Sequence, residues 1–510
     1  MSYLSKSIQK LISSSPKTAI KFMTSMSSEY WEKSAKAKAI STFRKTAKTT
    51  VGYKKLLQDQ SVDIRSIKNI NYFKKLPIID KDNYIRKTSL ADIANCPLEE
   101  AMTTTASSGS SGKPIYFFSS REEMAAYPKG MATFFDYYWD IVTKKKKTLF
   151  INAMAPGMWM GSVFGNYVFA QMCKKNKTFS YVSCGTEIDR ILEVLELVGK
   201  RYDLIIITTY PSFLKTVIDS ANKKDIDLKK YNIKFISSGE LLDDSLRKYF
   251  TDNLCDKIQD RLTTVFDIYG GTEIGNPGMM SPLAYVIKEK CKKNKKFALE
   301  IFGNENASGA FFQITPSAYV EVIDEHLVYT KDGMIPLVRY DSKDCGRIIT
   351  WKEMVKILKK YGISMSDELK KYHWHKPSFK WPFVVLLGRA DWAISFFGAM
   401  VSPESIKHIM HEYSFIRSYK ISAKTLTGQS LQFNVFVELQ PYGKIKKSDQ
   451  GKLSREISQK ILSFLVEKNF DFNDAYKIYQ KALVPQIKFV EFNTGIFKGE
   501  IDAKPPLVTR

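Results

Sequence analysis

Residues 103–118 read TTTASSGSSGKPIYFF. Ser107, Ser108, Ser110 and Ser111 supply hydroxyl donors, Gly109 and Gly112 let backbone N–H groups turn inward, and Lys113 adds a cation. That set suits phosphate oxygens. It is not a Walker loop, which runs GxxxxGK and then Ser or Thr. Here Gly109 and Gly112 lie too close together, Ser107 stands in the first glycine's place, and Pro114 replaces the hydroxyl that would hold magnesium. Taken singly, a serine–glycine run is a flexible linker, so its companions decide. YGGTE, at 269–273, puts an aromatic ring able to stack on a purine beside Gly270 and Gly271, then Thr272, then Glu273, whose carboxylate suits a hard divalent cation. RYDSKD, at 339–344, brings Asp344 in behind an apolar approach, where a carboxylate can accept hydrogen bonds from ribose hydroxyls. SSGE at 237–240 and GRADW at 388–392 complete the set. Each of these, alone, reads equally well as a turn with solvated charges.

The elements that must carry these loops follow from periodicity. Residues 187–200 have helical apolar spacing, 203–208 (DLIIIT) form a buried-strand run, and Tyr210-Pro211 opens a further helix. A strand over 233–239, a helix over 242–254 and a strand over 263–270 continue the alternation. Such alternation predicts a parallel sheet with right-handed crossovers. Ligands of open α/β sheets bind beyond the carboxyl ends of the strands, so SSGE and YGGTE are expected on one sheet edge. From Phe297 the texture changes to short strands, FALEIFG, AFFQIT, YVEVID and HLVYT, which predict a smaller, more antiparallel subdomain. Residues 351–381 read as a helical insertion; His373 and His375 flank Trp374 without a third ligand. After Gly388 comes an α+β unit with helices over 403–413 and 454–468 and a last strand, IKFVEF. The expected fold class is α/β: a large N-terminal domain, 1–388, with mostly parallel sheets and a β-rich subdomain, then a smaller C-terminal domain, 389–510.

Composition narrows the classes. The 510 residues are 44% apolar and 26% charged, an ordinary globular balance long enough for two or more domains. Six scattered cysteines without a CxxC pair predict neither a disulfide framework nor structural zinc, and fit a reducing, cytoplasmic setting. A net charge of +25 invites an acidic partner, but lysine is spread everywhere and no aromatic-interleaved basic motif stands out. A solvated basic surface is the better reading, with no specific nucleic-acid partner. The first 28 residues, basic and without an acid, read as an amphipathic helical segment. Residues 148–173 lack charge over a span's length, yet Asn152, Pro156, Gly157, Gly161, Gly165, Asn166 and Gln171 interrupt them. A strand over 148–152, a glycine-rich loop and a buried helix are expected instead of a membrane span.

Taken together and in order, SSGSSGKP, SSGE, YGGTE, RYDSKD and GRADW resemble the adenylate-forming enzymes over most of the chain. Within them the likeness is to the phenylacetate–CoA ligase group and its capsule-biosynthesis relatives, through ASSGSSGKP, PLVRYDSKD and GRADWAISFFGAMVSPESI. The tail, VEFNTGIFKGEIDAKPPLVTR, is similar to acyl-acid amido synthetases. The resemblance implies ATP-dependent activation of a small carboxylic acid with Mg²⁺, then acyl transfer to CoA or an acyl carrier protein; transfer to an amine is the alternative. A fold kept as a nucleotide-binding scaffold without turnover is a third reading, against which Lys113, Glu273, Asp344 and Arg389 all stand. By the same resemblance the serine-rich loop with Lys113 holds the β- and γ-phosphates. Gly239 and Glu240 border the adenine, Tyr269 with Gly270 stacks on it, and Thr272 contacts the α-phosphate. Glu273 binds Mg²⁺, Asp344 holds the ribose with Arg389 nearby, and Asp391 is the hinge of a rotating C-terminal lid. Lys504 is preferred over Lys498 as the lid lysine. Two departures are plain: Ser342-Lys343 stands where relatives carry threonine-glycine, and Phe396-Phe397 where many carry a polar residue. Met154, Met158, Trp159, Met160 and Phe164 are expected to form an apolar acyl wall, favouring a hydrophobic or aromatic acid.

Overall fold

The computed structural model describes residues 15–106, 115–239, 242, 244–307, 309–389, 394–396, 399–401, 403–426, 429–441, 445–469, 472–473, 476–477 and 480–498. On either side of the hydroxyl-rich segment in the sequence, β1 (Ala101–Ala106) pairs antiparallel with β2 (Tyr116–Ser120). The strands that follow are β3 (Thr148–Asn152), β4 (Phe179–Ser183), β5 (Leu204–Thr209), β6 (Ile233–Ser237) and β7 (Val265–Gly271). They lie side by side in the order β4-β3-β5-β6-β7, all parallel. Helices Met160–Lys175, Ile188–Val198, Pro211–Lys223 and Asp244–Leu254 make the crossovers. The continuous apolar run in β5 is explained by its two covered faces. Leu149, Ile151, Ile205, Ile207, Ile233 and Phe235 pack on one side with Leu192, Ile218 and Phe250. Phe150, Ile206 and Ile236 point to the other, where Phe150 stacks on Phe169 at 4.8 Å between ring centroids.

After β7 the sheet reverses. Strands β8 (Gly275–Met279), β9 (Ala310–Ile314), β10 (Tyr319–Ile323), β11 (His326–Lys331), β12 (Leu337–Ile349) and β13 (Phe383–Arg389) continue it in the order β7-β8-β9-β13-β12-β11-β10, antiparallel throughout. The expected β-rich part is therefore the far half of one 11-stranded sheet. One expected strand is a helix: FALEIFG lies in Lys295–Phe302. Asn294 accepts from the Phe297 N–H at its start, Gly303 closes it with φ 75°, and Phe297, Ala298, Ile301 and Phe302 are buried at helical spacing. Gly161 and Gly165 belong to the helix Met160–Lys175 and not to a loop. A Cβ on Gly161 would fall 2.2 Å from Met154 Cε and one on Gly165 2.8 Å from Asn152 Nδ2, so both glycines admit the helix close to the end of β3.

The C-terminal elements are β14 (Ile394–Phe396), β15 (Ala399–Val401), β16 (Ile416–Leu426), β17 (Gln429–Leu439) and β18 (Gln486–Val490), with helices Pro403–Met410 and Lys447–Lys468. The long helix starts seven residues before the expected 454, because its first two turns carry few apolar residues and the periodicity does not reveal them. These elements enclose a core of their own, including Val401, Ile421, Val435, Ile461 and Leu483. No described helix is long and apolar enough to cross a membrane. Phe150 is fully buried among Phe135, Phe169 and Phe179. Phe150→Ala should cost about 3–5 kcal/mol in denaturant unfolding; a loss within the error of the measurement would contradict this packing.

Candidate active site

A cavity of about 310 Å³ opens where β5, β6 and β7 end, lined also by β12 and β13. Ala106, Ser238, Gly239, Thr272, Glu273 and Asp344, which lie far apart in the chain, line it. Met131, Met154, Phe164, Val168 and Phe169 line it too, with Tyr127, Trp159 and Met160. Met158, expected in that wall, is 47% exposed and does not line the cavity.

Backbone geometry sets each polar group. Gly239 has φ +85°, and a Cβ there would lie 2.8 Å from the Tyr210 ring, so glycine is required where β6 ends. Thr272 Oγ1 donates to the Ala106 carbonyl at 3.2 Å. Ala106 is the last residue of β1, and its N–H donates to Met158 O at 2.9 Å. The end of β1 is thereby fastened to both the YGGTE loop and the residues leading into the helix Met160–Lys175.

Tyr269 is buried, with one ring face stacked on Phe312 at 5.6 Å, so at most one face is left for a purine. Its hydroxyl lies 2.6 Å from Asp344 Oδ2 and 2.6 Å from the Tyr329 hydroxyl. A phenol has one proton; Tyr269 gives its own to the carboxylate and accepts from Tyr329. Burial, and then the neighbouring Asp344 charge, push both phenols well above 10.0, so they remain neutral donors. In the ladder Asp344 pairs across with Arg389, which sets the ribose candidate and the arginine on facing backbone positions.

Glu273 Oε1 is buried and has no hydrogen-bond donor among the described residues. Lys81 Nζ lies 2.6 Å away as an ion pair, without the angle of a hydrogen bond. A carboxylate oxygen kept without a donor beside an open cavity fits a divalent cation. No cluster of three or more metal-ligating side chains occurs among the described residues. Mg²⁺ in phosphoryl-transfer sites is held by one or two carboxylates plus substrate oxygens, so a single glutamate is compatible.

The charge at Lys343 has partners. Its Nζ lies 2.8 Å from Asp341 Oδ2 and 2.8 Å from Asp80 Oδ2, and His326 Nδ1 is 3.0 Å from the same Asp341 oxygen. Burial alone would raise the Asp80 and Asp341 carboxyls; hydrogen bonds, first from Lys343, outweigh it and hold both below 3.8. Burial would lower the Lys343 ammonium, and its two carboxylate partners instead hold it above 10.5.

Ser107, Ser108, Gly109, Ser110, Ser111, Gly112, Lys113, Glu240, Asp391 and Lys504 lie outside the described residues, as does the side chain of Arg389. The structure brings Gly239, Tyr269, Gly270, Thr272, Glu273 and Asp344 to one cavity. Lys498 is exposed and does not line it. Sequence reasoning missed Lys81, Tyr210, Tyr329, Asn276 and Glu404. Lys81 is one lysine among many in a basic chain, Tyr210 and Asn276 closely follow β5 and the YGGTE loop, and Tyr329 and Glu404 reach the site only through tertiary packing.

The fold is that of acid–CoA ligases. Among solved structures, 2-hydroxyisobutyryl-CoA ligase in its postadenylation state with R3-HIB-AMP is similar, with 13% identity, coverage of 96% of this chain and 90% of that one, and a TM-score of 0.65. The same ligase in that state with 2-HIB-AMP gives 13% identity, coverage of 92% and 88%, and 0.62. With 2-HIB-AMP and CoA in the thioesterification state it gives 13%, coverage of 96% and 91%, and 0.54. No protein-family model matches the chain, and no curated protein matches it by sequence.

Two outcomes are expected. Tyr269→Phe takes one donor from a buried carboxylate and should lower stability by about 1–3 kcal/mol in urea unfolding; an unchanged midpoint would mean that the hydroxyl chain is not formed. The Lys343 cluster should stabilise fully between pH 3.8 and 10.5. Below 3.8 the unfolded carboxyls take up protons before the folded ones, and the contribution falls away; above 10.5 the unfolded lysine loses its proton first, with the same effect. The difference in thermal midpoint between the native chain and Lys343→Gly should therefore shrink as pH falls through 3.8.

Proposed function

We propose that this protein activates a carboxylic acid with ATP, forming an acyl-adenylate and releasing pyrophosphate, and then transfers the acyl group to a thiol. The observation that carries the reading is the convergence of Ala106, Gly239, Thr272, Glu273 and Asp344 on one cavity that methionines and aromatic rings also line. The likeness of fold to an acid–CoA ligase supports it. In the first step an oxygen of the acid's carboxylate bonds to the α-phosphorus as the bond to the β-phosphate oxygen breaks. In the second a thiolate bonds to the carbonyl carbon and AMP leaves. Neither step needs a protein nucleophile; placing the reactants and balancing charge are the main tasks.

The roles follow the geometry. Asp344, oriented by Tyr269 and Tyr329, accepts from the ribose hydroxyls. Gly239 borders the base, and the serine-rich segment that follows Ala106 in the sequence, with Lys113, meets the phosphates. Glu273 is the carboxylate for Mg²⁺, which when bound supplies Lewis acidity to the phosphates. The C-terminal part, 389–510, with its separate core, is the lid, hinged at Asp391 and carrying Lys504. Glu404, on its first helix, lines the cavity, which supports a lid that abuts the site. Met131, Met154, Phe164, Val168 and Phe169 line the cavity, so the acid is a hydrophobic or aromatic one with a neutral body. Six free cysteines suit a cytoplasmic setting.

Magnesium-dependent pyrophosphate–ATP exchange should appear with apolar acids from a panel and be weaker with acids carrying a second charge. Glu273→Ala should lower it on the order of a hundredfold, since a bound metal is worth several kcal/mol to such a transition state. Undiminished exchange in that variant would remove the metal assignment. Products formed with CoA, a carrier protein or amines distinguish thioester from amide synthesis, and nucleotide binding without exchange across the panel would leave only a scaffold.

A further inference from the structure

Lys343 has φ +62°, the left-handed region that favours glycine. Its side chain therefore occupies a position where the backbone would be easier without one. That side chain reaches Asp80, 2.8 Å away, in another part of the chain. Asp80 caps the turn Lys81–Ile85, accepting from the N–H groups of Asp82 and Asn83 at 2.9 and 2.7 Å while Asn83 Oδ1 accepts from its own N–H. Just before it, Ile79 joins the bulged start of β12: its N–H donates to Arg339 O at 3.1 Å, and its carbonyl accepts from Asp341 N at 2.8 Å. Each partner of the Lys343–Asp80 pair has a sequence neighbour in the cavity: Asp344 beside one, Lys81 beside the other. Lys81 is thus delivered to Glu273, the carboxylate read above as the metal ligand.

We propose that the Lys343–Asp80 pair is a positioning clamp that holds Lys81 on Glu273 in the nucleotide-free protein, and that a divalent cation arriving at Glu273 displaces the ammonium onto a substrate oxyanion. This rests on Glu273 being the metal ligand. An ammonium and a divalent ion on one small, largely buried carboxylate repel each other. The cation therefore competes with Lys81, and the competition is relieved when a phosphate or carboxylate oxygen in the cavity gives the ammonium a new partner. The Lys81–Glu273 pair is balanced in charge while the cavity is empty, and the carboxylate becomes receptive to metal when substrate is present. Lys343 and Asp80 act only through Lys81; Lys81 itself would touch substrate.

The test follows Mn²⁺ binding to the full chain without nucleotide, by water-proton relaxation, beside exchange kinetics. Lys81→Met should bind Mn²⁺ roughly fivefold tighter, as expected for loss of one competing ion pair, and yet show a lower exchange rate. Lys343→Gly is compatible with the φ of +62° and removes the side chain, and with it the ammonium that pairs with Asp80 and Asp341. It should shift both quantities in the same directions by less, and amide hydrogen exchange over residues 78–86 should quicken. Lys343→Arg, which can still pair with Asp80, should restore all three. A structural defect alone would weaken metal binding and exchange together. If native exchange is intact but Lys81→Met binds Mn²⁺ no more tightly, or Lys343→Gly matches the native chain throughout, the clamp and displacement are overturned while the proposed activity stands. Native protein that shows neither exchange nor Glu273-dependent Mn²⁺ binding would overturn both.

Discussion

Gly270 cannot carry a side chain, because a Cβ there would lie 2.1 Å from the carbonyl oxygen of Gly275. That close approach lets β7 turn back on itself as β8 within a few residues. β7 is also the last strand of the parallel half and the first of the antiparallel half. The reversal has two effects at once. It leaves Thr272 and Glu273 at the tip, over the carboxyl edge of the parallel strands, and it starts the run of antiparallel strands that brings β12 back to the same place with Asp344. A bulkier residue would have to spread the hairpin, and the two carboxylates would no longer face one cavity.

The carboxylates in that cavity are held by different means, suited to different tasks. Asp344 is met by a chain of neutral phenols, Tyr329 to Tyr269 to the carboxylate, which orients it without adding charge. Glu273 is met by an ammonium at ion-pair distance that leaves Oε1 without a hydrogen bond. Behind both lies the Asp80–Lys343–Asp341 cluster, which ties the segment bearing Lys81 to the strand bearing Asp344.

The likeness to 2-hydroxyisobutyryl-CoA ligase spans nearly the whole of both chains at 13% identity. Few side chains need be shared for that to hold. The arrangement depends on features that many sequences satisfy: strands apolar on both faces, glycines where backbones touch, and polar groups at strand ends.

Much of this was legible in the residues themselves. Continuous apolar strands alternating with helical periods could be satisfied only by a parallel sheet covered on both faces, and the glycine-bearing strand ends had then to share an edge. Local signals also misled: FALEIFG reads as a strand until Asn294 and Gly303 are seen capping a helix, and Met158 sits beside wall-forming methionines yet points to solvent. The sequence by itself determined the strand-and-helix order and the polar loops, because those depend on spacing along the chain. Only the tertiary structure decided that the antiparallel strands extend the same sheet, that Tyr269 orients Asp344, and that Lys343 and Lys81 belong to the site. The last two depend on contacts between residues 60 to 263 positions apart, and no local pattern encodes which of many lysines will meet a given carboxylate.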